Sequence, residues 1–132
     1  MYPESITVVF KNYPLPFHKD AQPAAQAARE VYAQKGNEAF WAYHDLLFAN
    51  QKTLSRENLE KFAEQVGGIN MKAFKAALDS GKHKAAVEAD MAAVAKAGAR
   101  IGTPSFFING KLVQGAQPFA AFKVAIDDAL KN

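Results

Sequence analysis

Apolar and polar residues follow two rhythms along this chain, and each predicts a different kind of element. Near the N-terminus, Ile6-Thr7-Val8-Val9-Phe10 is a β-branched and aromatic run with almost no polar break. That pattern predicts a strand buried on both faces, as in a parallel or mixed sheet. Lys11 to Asp20 contains Pro14 and Pro16 and is expected to be an irregular loop. A helical rhythm then takes over. Asp20 is placed to cap a helix from about Ala21 to Gln34, with Pro23 in its first turn and Gly36 as its stop. Asn37 is placed to cap a second, Glu38 to Asn50, in which Phe40, Trp41, Tyr43 and Phe48 are read as core at helical spacing. Ser55 opens a third, with Leu59, Phe62, Ala63 and Val66 on one face, and Gly67-Gly68 ends it. Asn70 caps a short fourth that carries Phe74 and Leu78 and stops near Gly81. An alanine-rich fifth runs from about Lys84 to Ala97, with Val87, Met91 and Val94 as its apolar stripe.

The rhythm changes back after Pro104. Ser105-Phe106-Phe107-Ile108 reads as a strand and Asn109-Gly110 as a tight hairpin turn, with Lys111 to Gln114 as the return strand. A last helix is expected from about Gln117 to Leu130, with Phe119, Phe122, Ile126 and Leu130 inward. The chain therefore reads as strand, five helices, hairpin, helix. That is an α/β fold of three strands and about six helices, in a single domain over residues 1–132 without internal repeat or linker.

Composition narrows the function classes. At 132 residues, with 49% hydrophobic and 22% charged side chains, the chain is long enough to bury a core. No apolar run approaches the roughly 20 residues of a membrane helix, so no membrane partner is expected. Met1-Tyr2-Pro3-Glu4 lacks the basic start of a signal peptide, so any export signal would lie outside the chain shown. The net charge of +3 is mild, and the 16 Lys and Arg are scattered along the helices. Their densest spot, Lys72, Lys75, Lys82, His83 and Lys84, reads as a solvated helix face, and no nucleic-acid module is present.

Candidate chemistry is defined mainly by exclusion. The chain has no cysteine, which removes disulfides, thiolate nucleophiles and Cys-bearing zinc sites. His18, His44 and His83 do not fall at metal-ligand spacing, and neither H-E-x-x-H nor G-x-S-x-G occurs. No metal, cofactor or catalytic residue is expected. His44 is expected to pack within the helices and His83 to belong to the solvated basic face.

Four segments carry a family resemblance. Val9-Phe10-Lys11-Asn12-Tyr13-Pro14-Leu15-Pro16-Phe17-His18 resembles the second core strand and exit loop of bacterial DsbA-family oxidoreductases. Phe40-Trp41 with His44-Asp45-Leu46-Leu47-Phe48 resembles that family's helical insertion, here about residues 37–82. Gly102-Thr103-Pro104-Ser105-Phe106-Phe107-Ile108-Asn109-Gly110 resembles its cis-proline loop and hairpin, and Gly115-Ala116-Gln117-Pro118-Phe119 resembles the lead-in to its closing helix.

The resemblance implies a truncated thioredoxin-like fold from a thiol–disulfide oxidoreductase lineage. The chain is expected to begin just before the family's second core strand and to lack the first strand and the Cys-x-x-Cys helix. It is therefore expected to be redox-inactive alone, because exchange needs a thiolate. The resemblance makes Gly102, Thr103 and Pro104 a cis-proline loop that contacts an extended peptide substrate, with Phe17 and His18 as a candidate rim. A non-catalytic peptide- or partner-binding module using the same loop is the alternative. It also implies a periplasmic or otherwise extracytoplasmic location. The missing strand is central in the family, so its loss leaves buried backbone groups unpaired at about 1–3 kcal/mol each. Three ways out are open: completion by an N-terminal segment, closure of the two flanking strands on each other, or association with a second copy, which is the favoured one.

Overall fold

A helix that begins with Asp20 and Pro23 and meets a glycine midway sets the shape of the helical part. The computed structural model describes residue 2 and residues 4–98 and 101–131. In it, α1 spans Ala21–Ala49 and is interrupted at one residue, Gly36, with φ 80° and ψ −159°. The two expected helices thus meet at a kink with no loop between them, and five helices rather than about six are present among the described residues. Only a residue without a Cβ adopts that φ at little cost, which is why the break falls on glycine. Asp20 occupies the N-cap position but its side chain makes no capping bond.

The next two helices follow their local signals. In α2 (Arg56–Val66), the Ser55 hydroxyl accepts from the Asn58 amide at 3.2 Å. In α3 (Met71–Ser80), the Asn70 side chain accepts from the Ala73 amide at 3.0 Å, and Gly81 closes the helix in the left-handed conformation. The fourth helix, α4, is Lys84–Lys96. Of its expected stripe, Val87 is fully buried whereas Met91 and Val94 are half-exposed.

The described residues form two compact units, Asn12–Ala93 and Met1–Lys11 with Val94–Asn132. The first unit closes its own core. Val31, Tyr43, Leu59 and Phe74 are fully buried there, and the Tyr43 hydroxyl donates to the Leu59 carbonyl at 2.9 Å, tying α1 to α2. The aromatic face of α1 divides: Phe40 and Tyr43 are buried, but Phe48 is exposed and stacks on His44 at 4.6 Å.

His83 departs from its expected place on a solvated face. Its Nε2 lies 2.8 Å from Glu30 Oε1, and Glu30 is only 1% exposed. A carboxylate only accepts, so that ring nitrogen carries the proton. Lys82 Nζ donates to Glu30 Oε1 at 3.3 Å and Gln34 Nε2 to Oε2 at 2.7 Å. Gln34 in turn accepts from the Asn70 amide at 2.8 Å. One buried carboxylate therefore joins α1 to the turn before α4, and through Gln34 to the start of α3.

The second unit is built from β1 (Ser105–Ile108), β2 (Lys111–Gln114) and α5 (Phe119–Lys131). The strands pair antiparallel, Ser105 opposite Gln114 and Ile108 opposite Lys111. Asn109 and Gly110 both have positive φ, 49° and 87°, the requirement of a two-residue hairpin whose twist matches its strands. Among the described residues the sheet has two strands, not three. Ile6–Phe10 is irregular and does not pair with β1. A strand needs a neighbour for its amides and cover for its faces; among the described residues this run makes no ladder, and Val8 is 67% and Val9 69% exposed. For the same reason α5 buries no residue completely, and Phe119 and Leu130, expected inward, are exposed. Phe122 is half-buried, edge-on to Phe106 at 4.8 Å.

The Glu30 cluster generates a stability prediction. Burial opposes ionisation of Glu30, but the bonds from Gln34, His83 and Lys82 outweigh it and hold the carboxyl below the usual carboxylate range. A depressed folded-state value means that Glu30 contributes fully above the unfolded value and loses its contribution as pH falls through the folded one. Glu30→Gln is therefore expected to lower stability at neutral pH by about 1–3 kcal/mol. It is also expected to flatten the loss of stability on acidification. Urea denaturation followed by far-UV circular dichroism from neutral to acid pH measures both.

Candidate functional site: the Gly102–Pro104 loop

The loop before β1 is fixed by two bonds at its ends. The Ser105 hydroxyl donates to the Gly102 carbonyl at 2.7 Å, and the Gly115 amide donates to the Pro104 carbonyl at 2.8 Å. Gly115 has φ 82°, a conformation that turns its amide back from the end of β2 toward Pro104 and that disfavours any side chain. The Thr103–Pro104 peptide bond is cis. Proline has no amide hydrogen, so Pro104 asks for no donor partner. Between the two anchored carbonyls, Thr103 is exposed, and its N–H and C=O have no partner among the described residues. Gly102, Thr103 and Pro104 thus form one solvent-facing stretch with free main-chain groups at its centre.

Phe17 and His18 belong to the helical unit, in the turn that leads into α1. The His18 amide donates to the Leu15 carbonyl at 3.0 Å, and the Ala21 amide donates to the His18 carbonyl at 3.0 Å. Both side chains are exposed, and their rings meet edge-on at 4.5 Å. Asn12 anchors the start of this loop, its amide and its side chain both donating to Asp90 Oδ2, at 2.9 and 3.0 Å. Phe17 and His18 thus lie in the Asn12–Ala93 unit, and Gly102, Thr103 and Pro104 in the other unit.

The chemistry on offer at the loop is hydrogen bonding. No acidic, basic or thiol side chain lies within residues 101–105. Among the described residues no cluster of His, Cys, Asp and Glu is arranged to hold a metal. Ser105 and Gly115, which hold the loop, carried no sequence signal beyond their place in the family-like segments, because each bond depends on how the chain folds back.

A thioredoxin family model matches residues 2–128. A probable disulfide bond formation protein D from Bacillus cereus is 30% identical over 96% of this chain and 59% of its own length. The crystal structure of oxidised BdbD from Bacillus subtilis superposes with a TM-score of 0.78 at 26% identity, covering 89% of this chain and 66% of that one. The chain belongs to the DsbA-like thioredoxin-fold family. A Na(+)/H(+) antiporter NhaA 3 from Salinispora tropica is 34% identical over 97% of this chain but only 19% of the antiporter. The chain thus spans about a fifth of that antiporter and about three fifths of the disulfide bond formation protein. Among the described residues no helix is long and apolar enough to cross a membrane.

Ser105→Ala removes the bond that closes the loop from inside. It is expected to cost no more than about 1 kcal/mol of global stability. Amide exchange at Gly115, whose N–H bonds the Pro104 carbonyl, should rise selectively, while the amides of α1 to α3 keep their protection, as hydrogen exchange read by NMR will show.

Proposed function

We propose that this chain is a DsbA-type protein of a thiol–disulfide oxidoreductase lineage whose 132 residues hold the peptide-facing loop of the site and no redox centre. The observation that carries this reading is the absence of cysteine from the sequence. Disulfide exchange proceeds by attack of a thiolate on a disulfide sulfur, through a mixed disulfide, with the attacking thiol oxidised as the target is reduced. No serine, histidine or methionine side chain substitutes in that exchange. Any redox chemistry in which this loop takes part draws its thiols from outside these residues.

What the loop supplies is a docking edge for an extended peptide. Its support is the exposed Thr103, whose main-chain donor and acceptor are unpaired among the described residues while the carbonyls on either side are taken. An extended chain pairs with such groups as it would with a strand edge, and this contact is tolerant of side-chain sequence. The site of action is extracytoplasmic, where disulfides form and persist.

Two experiments test the reading. The purified chain is expected to show no turnover in the insulin-reduction assay above the reductant alone, and turnover would overturn the claim of redox inactivity. Thr103→Pro removes the free amide at an exposed position. It is expected to weaken binding of an extended, unstructured peptide about two- to tenfold, the worth of one main-chain hydrogen bond. Isothermal titration calorimetry measures this, with far-UV circular dichroism confirming that the fold is kept.

A further inference from the structure

Among the described residues Glu30 is the only charged side chain that is buried, and the polar groups around it have a fixed direction. Every one that reaches its two oxygens is a donor. His83 Nε2 and Lys82 Nζ point at Oε1, at 2.8 and 3.3 Å, and Gln34 Nε2 points at Oε2, at 2.7 Å. The far side of the Gln34 amide is held by Asn70. Its Oε1 accepts from the Asn70 N–H at 2.8 Å, and its Nε2 also reaches the Asn70 carbonyl at 3.3 Å. Both neighbours fix the same orientation of that amide, since a carboxylate only accepts and an N–H only donates. We propose that Glu30 is a proton-operated latch: when its carboxyl takes up a proton from solvent, the Gln34 amide turns over and lets go of Asn70 at the start of α3.

A neutral carboxyl has a hydrogen to donate and needs an acceptor within the enclosure. Lys82 offers none, because an ammonium has three donors and no lone pair. His83 offers none in acid, because an imidazolium donates from both ring nitrogens. Neither α2 nor α3 sends an ion pair to Glu30 among the described residues. Their charges meet one another instead, Arg56 with Glu60 and Asp79, and Lys75 with Glu60. Among the side chains that reach the carboxyl, only Gln34 carries an acceptor and a donor on one planar group. Turning it over sets Oε1 against the new O–H and the NH2 opposite the Asn70 N–H. Two donors do not pair, so the bond to Asn70 breaks.

Asn70 is the N-cap of α3: its side chain accepts from the Ala73 amide at 3.0 Å and its carbonyl from the Phe74 amide at 2.9 Å. The turn from Gly67 to Asn70 is held from α1 at two points, by Lys35 Nζ on the Gly67 carbonyl at 3.3 Å and by Gln34 on Asn70. Only the second depends on the state of Glu30. Phe74 is fully buried and keeps α3 in the core, so the opening is confined to the cap and the turn before it. Burial opposes the charge of Glu30, but the bonds from Gln34, His83 and Lys82 prevail and hold its carboxyl below the usual carboxylate range. The latch is therefore shut at neutral pH and opens as pH falls below that range. All of its parts lie in the Asn12–Ala93 unit, and it is independent of the peptide-docking role of Thr103.

Nuclear magnetic resonance of the full chain, titrated from neutral pH into acid, tests the latch. The Glu30 carboxyl carbon, the Gln34 side-chain amide and the Asn70 backbone amide are expected to shift with one common midpoint. Across that step the Asn70 amide should exchange about two- to tenfold faster, after correction for its intrinsic pH dependence, the worth of one hydrogen bond. The amides of Phe62 and Ala63 in α2 should keep their protection. Glu30→Gln places an NH2 where the protonated carboxyl has its O–H. It is expected to hold the Gln34 and Asn70 signals at their acid positions over the whole pH range. Gln34→Leu gives a second reading: the Glu30 midpoint should rise, because one donor is lost, and Asn70 should show no step there. An Asn70 signal that stays in place while Glu30 titrates overturns the proposal. So does an Asn70 step that persists in either variant, or loss of α2 protection at the same midpoint, which marks acid unfolding of the unit.

Discussion

A strand edge left without a neighbour keeps its amides in water, and a sheet too narrow to be covered keeps its side chains there too. That constraint governs the unit of β1, β2 and α5. With one neighbour per strand and a single helix, its described residues enclose no side chain completely. Three separate observations reduce to it. Residues 6–10 have strand composition without strand pairing, β1 shows a phenylalanine on either side, and α5 leaves Phe119 and Leu130 in solvent. None of these reflects poor local design. Each residue type suits a thioredoxin-like interior, yet each stands exposed or unpaired in a ladder among the described residues.

The helical unit meets the opposite condition. Its elements cover one another, so burial is complete at Val31, Tyr43, Leu59 and Phe74 and even a carboxylate is enclosed. Enclosing Glu30 is tolerable because three donors converge on its two oxygens. Removing a single donor would leave a buried charge short of partners, which costs more than the bond itself is worth. The cluster therefore acts as a geometric lock. It holds the turn before α4 against α1 at one register, a task that apolar packing alone, being non-directional, performs less specifically.

Which features were legible in the sequence follows the distance over which their causes act. Ser55 and Asn70 as caps, Gly67 and Gly81 as stops and Asn109-Gly110 as a hairpin depend on neighbours a few residues away, and all are found in place. The break at Gly36 was legible, but not that the chain would resume its helix after one residue. Burial of Ile6–Phe10 and of the Phe119 face depends on a distant strand or layer, so apolar pattern alone gave the wrong outcome there. The Glu30–His83 contact spans 53 residues and left no local trace. In the candidate site, the motif around Pro104 drew attention to the loop, whereas its supports at Ser105 and Gly115 emerge only from the fold.

Loop shape and thiol chemistry are separable properties, and this chain separates them. The bonds that hold the loop run from Ser105 to Gly102 and from Gly115 to Pro104, all within the hairpin and the residues that flank it. No sulfur takes part in them. A loop braced by its own hairpin keeps Thr103 exposed without help from any thiol. The family motif around Pro104 is accordingly evidence for the backbone shape of this loop. Electron transfer is a property of residues the motif does not contain.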